Sequence, residues 1–372
     1  MVDDSVELER PAPPRDCTAP WAHTEFSLKL FVQLVRAAPG KNVFLSPAGV
    51  AAALLVLSNG ADPGTRQAIA GVVGLKDPDL QALNSAAGSW LDTLLRPERG
   101  QETIIATSLW LPQGLSLDEG FSANVRRHYG ADIETGADAA RMNAWVSRKT
   151  GGRITETSVG GDFRDALTIL NAVYFKGAWV VPFDPRNTED GVFTRSDGSS
   201  KKLPMMSRKG MFAYLGGPGF KAVHLVYSGK NFGMYIIVPD GPLQDFIAGL
   251  NAGNWEDWRR HFRFPRYGDL VLPRFRIDYH TSLNPALKDL GFDPAAGNFQ
   301  GMSPSLLRPW VDEVSHSTFC IVDEAGTEAG ALTEIMVLGM GCSVEADRPF
   351  LCAIENERTG SLIFLGAIED PQ

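Results

Sequence analysis

Six histidines (His23, His128, His224, His261, His280 and His316) and four cysteines (Cys17, Cys320, Cys342 and Cys352) are the side chains able to do acid–base, nucleophilic or soft-metal chemistry near neutral pH. Their spacing argues for none of it. No histidine stands beside an obvious nucleophile or a carboxylate cluster, no two cysteines form a CxxC pair, and no cysteine is spaced from a histidine as zinc ligands are. Motifs that build a site locally are also missing: there is no GxSxG elbow, no GxxxxGK[ST] phosphate loop, no HExxH and no complete GxGxxG. GLSLD at residues 114–118 is only a near miss. A spatial triad needs no sequence proximity, so an enzyme with a dispersed site stays a distant rival. The expectation is a protein that is not an enzyme, with no metal, no cofactor and free, mostly buried thiols.

Residues 327–338 (TEAGALTEIMVL) carry a different kind of chemical information. Read at the period of two that a strand imposes, one face holds Thr327, Ala329, Ala331, Thr333, Ile335 and Val337, with no charge. The other face holds Glu328, Gly330, Leu332, Glu334, Met336 and Leu338, so both glutamates point the same way. That is the pattern of a half-buried strand. Just before it, residues 324–326 (EAG) join Glu324 to Gly326, a glycine able to turn the backbone as a hinge. Just after it, Gly339 and Gly341 bracket Met340, and no Arg or Lys occurs from Thr327 to Val344.

Several elements frame this stretch. Helical spacing of Leu28, Phe31, Leu34 and Val35 predicts a helix over 24–38, ended by Pro39-Gly40. Ser46-Pro47 opens a second, apolar helix as cap and first position, and Asn59-Gly60 closes it. Residues 103–111 read as a buried strand and 139–149 as a helix. Residues 167–175 (LTILNAVYF) are a nearly continuous apolar run around Asn171, which suits a central strand and obliges Asn171 to find buried partners. Further strands are expected at 232–239, 269–277 and 361–368. Helices dominate early and strands late, so the class is α+β with large sheets.

The 372 residues are 44% hydrophobic and 21% charged, enough for a large core, and contain no linker or repeat. Residues 1–21 read as a flexible tail and 22–372 as a single domain. A net charge of −9 opposes binding to nucleic acid. The local exception is 258–267, where arginines alternate with Trp258, Phe262, Phe264 and Tyr267; a solvated strand or helix edge is the better reading of it. The first residues (MVDDSVELERPAPPRDC) lack the basic end and apolar stretch of a signal peptide, so the chain is expected in the cytoplasm unless a leader has been removed. The longest apolar run, 48–57, is roughly half a membrane span, and no membrane partner is expected.

From about residue 22 to Pro371 the chain resembles the serpin family, block after block in order. Residues 42–59 (NVFLSPAGVAAALLVLSN), 171–185 (NAVYFKGAWVVPFDP), 188–205 (TEDGVFTRSDGSSKKLPM) and 346–370 (ADRPFLCAIENERTGSLIFLGAIED) carry the resemblance, with 269–277 and Leu290-Gly291-Phe292 between them. It implies a serpin fold of three β-sheets, about eight or nine helices and an exposed reactive-centre loop, here about 324–343. Ser46, Asn171 and His316 match the family's shutter, and Trp179 the aromatic at its breach. Gly49 departs from the pattern, standing where the family usually has a second shutter serine.

The resemblance further implies a monomeric suicide-substrate inhibitor of serine proteases. Its hinge would be Glu324, Gly326, Thr327, Glu328, Ala329, Gly330 and Ala331, and residues 327–338 would insert into the main sheet after cleavage. Burying Ile335 and Val337 and adding ladder hydrogen bonds would release on the order of 10 kcal/mol. Counting forward from Glu324 puts the cut bond at Met340-Gly341, whereas counting back from Pro349-Phe350 moves it toward Leu338-Gly339. Either bait is apolar, so chymotrypsin-like, elastase-like or subtilisin-like proteases are the expected partners. The competing reading is a non-inhibitory serpin acting as carrier or chaperone, against which the small residues Ala329-Gly330-Ala331 argue. No basic helix occurs over 75–99, so no heparin dependence is expected.

Overall fold

The computed structural model describes residues 23–75, 79–115, 117–136, 138–157, 167–262, 265–303, 309–326 and 342–372. In chain order the helices and strands are α1 (His23–Ala37), β1 (Val43–Leu45), α2 (Pro47–Ser58), α3 (Pro63–Val73), α4 (Leu80–Leu94), β2 (Gln101–Leu111), α5 (Glu119–Tyr129), β3 (Asp132–Thr135), α6 (Ala139–Lys149), β4 (Leu167–Gly177), β5 (Thr188–Thr194) and β6 (Ser200–Gly217). They continue as β7 (Phe220–Val226), β8 (Phe232–Pro239), α7 (Leu243–Ala248), α8 (Ala252–His261), β9 (Pro265–Pro273), β10 (Phe275–Ser282), α9 (Asn284–Asp289), β11 (Val311–Val322), β12 (Cys342–Glu345), β13 (Phe350–Asn356) and β14 (Ser361–Ile368). The described residues thus hold nine α-helices in an α+β arrangement.

Two hydrogen-bonded ladders organise the strands. One runs β10-β11-β4-β2-β3; the other runs β1-β14-β13-β8-β7-β6-β9-β12, with β5 also on β6. The long strand β6 changes partner at Ala213, from β9 on its first part to β7 on its last, so the second ladder is two sheets sharing one strand. Two continuous ladders, one of them branching at β6, are consistent with the three sheets expected from sequence.

The elements follow from local chemistry. Ser46 caps α2 by accepting the Gly49 amide, with Pro47 in the first turn. Every residue of α2 is buried, as an all-apolar helix requires, and it packs between β14 and β4. Strand β4 is buried along its length except for Lys176, covered inside by the main core and outside by Met142, Trp145 and Val146 of α6. The sequence pattern suggested one strand over 269–277, but β9 ends at Pro273 and β10 begins at Phe275 in the other ladder. Pro273 has no N–H for a ladder bond, and the Arg274 amide donates to the Pro204 carbonyl at 2.9 Å instead. Residues 258–267 span the end of α8 and the start of β9, with Arg263 and Phe264 outside the described residues. Trp258 packs on Phe220 and Phe246, and Arg259 pairs with Glu355 and Glu256. The alternation is therefore divided between core and surface instead of forming a stacking face.

Candidate functional site

Strands β4 and β11 run parallel and side by side at the centre of the five-stranded sheet, paired from Val311↔Leu167 to Phe319↔Tyr174. A hydrogen-bonded chain crosses this seam on its inner face. The backbone N–H of Ser46 donates to His316 Nε2 at 2.9 Å. An amide can only donate, so Nε2 is the lone-pair nitrogen, and Nδ1–H donates to Asn171 Oδ1 at 2.9 Å. The Asn171 amide then donates to Thr107 Oγ1 at 3.2 Å and the Ala106 carbonyl at 3.3 Å. Helix α2, β11, β4 and β2 are thereby linked by one imidazole and one carboxamide. His316 is fully enclosed, and burial, helped by nearby His280, holds its pKa down to about 3.

Gly49 belongs to this cluster through what it lacks. A Cβ there would lie 2.4 Å from both Asn171 Oδ1 and Val173 Cγ2. Its place in α2 lets the helix approach β4 too closely for any side chain, so the cluster is built from Ser46, Asn171, His316 and Thr107 without a second serine.

At the upper end of the seam, the indole N–H of Trp179 donates to the Asp323 carbonyl at 3.1 Å, and its backbone N–H donates to the Ala325 carbonyl at 3.1 Å. Its ring stacks on Tyr227, centroids 4.4 Å apart and planes 12° from parallel. Glu324 is held beside it: Oε1 accepts from Thr188 Oγ1 at 2.7 Å and from Arg274, while its carbonyl accepts the Phe183 amide at 2.7 Å. Burial alone would raise the Glu324 carboxyl; the Arg274 and Thr188 bonds outweigh it and hold the group below the usual carboxylate range. Gly326 bridges antiparallel both to Ala178 and to Asp323. Its φ of 124° and a virtual Cβ 2.4 Å from the Gly177 carbonyl leave room for glycine alone.

The structure thus brings Ser46, Asn171 and His316 into one cluster and Trp179, Glu324 and Gly326 into a second. Thr327, Glu328, Ala329, Gly330 and Ala331, and the bond candidates Leu338, Gly339, Met340 and Gly341, lie outside the described residues. Cys342 is buried, its Sγ 3.8 Å from the Arg266 carbonyl, and burial raises its thiol. Sequence reasoning missed Thr107, Thr188, Arg274 and Tyr227. For Thr107 a signal existed, the polar pair Thr107-Ser108 inside the apolar part of a strand.

A family model described as Serpin (serine protease inhibitor) matches residues 22–371. The chain belongs to the serpin family. Among its relatives, Serpin A3-1 of Bos taurus is 30% identical over 366 residues, covering 94% of this chain and 88% of that one. Plasminogen activator inhibitor 1 of Bos taurus is 30% identical over 371 residues, covering 94% and 91%. Of solved structures, human kallistatin matches this serpin with a TM-score of 0.87 at 26% identity, over 95% of this chain and 98% of the other. The thermophilic serpin tengpin in its native state gives 0.85 at 25%, over 97% and 96%. The family generally includes protease inhibitors, and also proteins named as carriers, such as corticosteroid-binding globulin of Sus scrofa, 29% identical to this chain.

Proposed function

We propose that this serpin is a suicide-substrate inhibitor of serine proteases with apolar primary specificity, chymotrypsin-like, elastase-like or subtilisin-like. The observation that carries the reading is the pair of antiparallel bridges at Gly326, one to Ala178 on the β4 side and one to Asp323 on the β11 side. Stepped down the seam, both bridges give one register. Gly330 falls opposite Tyr174 and Phe319, and Thr333 falls opposite Asn171 and His316, each of which is already a paired rung of β4 and β11.

In that register the uncharged residues Thr327, Ala329, Ala331, Thr333, Ile335 and Val337 take the inner face, beside Phe175, Val173, Asn171 and Ile169, all buried in the core. Glu328 takes the outer face opposite Lys176, a charge complement. Glu334 would fall opposite buried Leu170 on the side α6 covers, so that helix has to shift to let the carboxylate reach water. A strand that satisfies the inner face at every step is a sequence written for insertion, which supports an inhibitor over a carrier.

The protease serine Oγ attacks the carbonyl of Met340, or of Leu338, and forms an ester with it. The peptide bond breaks and the following glycine leaves as a free amine, taking a proton from the protease histidine. Insertion of 327–337 between β4 and β11 then carries the tethered enzyme along the sheet before water can cleave the ester. Incubation with chymotrypsin followed by denaturing electrophoresis tests this, because an acyl-enzyme survives denaturation and a non-covalent complex does not. A stable high-mass band, with a released peptide starting at Gly341 or Gly339, is expected. Clean cleavage without that band, by chymotrypsin, elastase and subtilisin alike, would move the function to a non-inhibitory serpin.

A further inference from the structure

The ladder between β4 and β11 ends at the Tyr174–Phe319 rung, although β4 continues to Gly177 and β11 to Val322. Above that rung each strand keeps its outer neighbour: β4 stays paired with β2 as far as Gly177↔Gln101, and β11 with β10 as far as Val322↔Phe275. Among the described residues the two halves of the sheet rejoin above it where Trp179 reaches Asp323 and Ala325, Ala178 bridges to Gly326 and the Phe183 amide reaches the Glu324 carbonyl. Tyr174 and Phe319 therefore occupy the last closed rung, the first that a strand entering from Gly326 has to part.

On the outer face of that rung the two rings meet, centroids 6.2 Å apart and tilted by 36°. Both are nearly fully buried. Each ring also carries a guanidinium from its own side of the seam: Arg153, in the turn after α6, lies 4.4 Å over Tyr174, and Arg276 of β10 lies 4.9 Å over Phe319. Arg276 is itself steadied by Asp278, at 2.9 Å. Admitting one strand raises the separation of β4 and β11 from about 4.8 Å to about 9.6 Å. Arg153 stands on the turn after α6 and not on β4, whereas the Arg276 stack travels with β11 through its β10 pairing and survives that movement. The ring-to-ring contact does not.

From this geometry we infer that the Tyr174–Phe319 ring pair is the latch that sets how readily the sheet admits a strand, with Arg153 and Arg276 holding each ring in the closing orientation. The inference rests on the insertion reading above and names the side chains that regulate it. The residue that would enter this rung is Gly330, which has no side chain to collide with either ring.

The test uses the intact, uncleaved protein and a synthetic peptide of residues 327–337, with its uptake followed on native gels over time. Tyr174→Leu and Phe319→Leu are expected to take up the peptide about tenfold faster than the unchanged protein, the scale of one aromatic contact in a rate. Tyr174→Phe, which keeps the ring, should stay within about twofold. The double Leu variant should be little faster than either single one, since both remove the same contact. Thermal melting before peptide addition establishes that each variant is folded. Leu variants that take up peptide at the unchanged rate, or Tyr174→Phe as fast as Tyr174→Leu, would overturn the latch while leaving insertion intact. A peptide that enters none of the proteins would sink the insertion reading itself, and the latch with it.

Discussion

Ser46 and His316 stand 270 positions apart in the chain, and the backbone amide of the first donates to Nε2 of the second at 2.9 Å. That bond fixes the imidazole as neutral with its proton on Nδ1. It makes the N-terminus of α2 and the middle of β11 a single unit whose far arm is Asn171.

The first consequence concerns acid. His316 has its folded pKa held down to about 3 by burial, against an ordinary value of 6.5. Between those values the unfolded chain binds a proton that the folded one refuses, so stability falls as pH drops from about 6.5 toward 3. The slope should approach about 1.4 kcal/mol per pH unit for this residue. His23, held at about 4, adds a similar contribution above that pH. In His316→Gln the amide oxygen can accept from Ser46 and the amide nitrogen can donate to Asn171 without titrating. Urea unfolding between pH 7 and 5 should therefore show the variant's slope shallower by about one proton. Parallel curves for the two proteins would mean that His316 is not the buried neutral base described.

Restoring a serine at Gly49 should be destabilising. The new Cβ would sit 2.4 Å from Asn171 Oδ1, the atom that receives the His316 proton, so Asn171 has to swing away and break that bond. Overpacking of this kind costs about 1–3 kcal/mol. Equilibrium urea unfolding of Gly49→Ser would register it, and loss of the slowly exchanging His316 Nδ1 proton resonance would locate it. A variant as stable as the parent, with the resonance unchanged, would show that α2 yields to accommodate the serine.

How far the sequence reached can be judged at particular residues. The helices and strands carried by strong period or a clear cap were legible: Ser46-Pro47 opens α2, 139–149 is α6, and 361–368 is β14. Family spacing pointed to Ser46, Asn171 and His316, and the fold brings them together. Thr107 was not picked out, because it is the register of β2 on β4, Thr107↔Asn171, that puts it there. A local pattern says that a strand exists, not which rung it offers. Arg274 was absorbed into a single supposed strand for the same reason. The break at Pro273 matters only because Phe275 joins another ladder, and it leaves Arg274 free to meet Glu324.

Trp179 combines two contributions that substitution can separate. Trp179→Phe removes the bond from its indole N–H to the Asp323 carbonyl while leaving a ring to stack on Tyr227. A loss of about 0.5–1.5 kcal/mol is expected. Trp179→Ala removes the buried ring as well and should cost about 3–5 kcal/mol. Unfolding in urea distinguishes the two. Near-equal losses would mean that the hydrogen bond, and not the stack, holds the strands together above the latch.

The register proposed for the inserted loop makes the sharpest demand of all. Ala329 would arrive beside Phe175, deep in the core, whereas its neighbour Glu328 would arrive on the outer face opposite Lys176. A carboxylate at 329 would have to be buried without a partner, at a cost of several kcal/mol and at the second step of insertion, before the strand gains enough to drag a protease with it. In Ala329→Glu the protease should therefore win the race and hydrolyse its ester. Cleavage of the loop continues, little trapped complex forms, and many serpin molecules are consumed for each protease inactivated. Glu328→Ala should trap nearly as well as the unchanged protein, because it removes an exposed charge worth about 1 kcal/mol or less. Titrating chymotrypsin against each variant gives the number consumed per enzyme trapped. If the two substitutions exchanged places in that titration, the loop would enter one residue out of the register set by Gly326, and every face assignment that follows from it would invert.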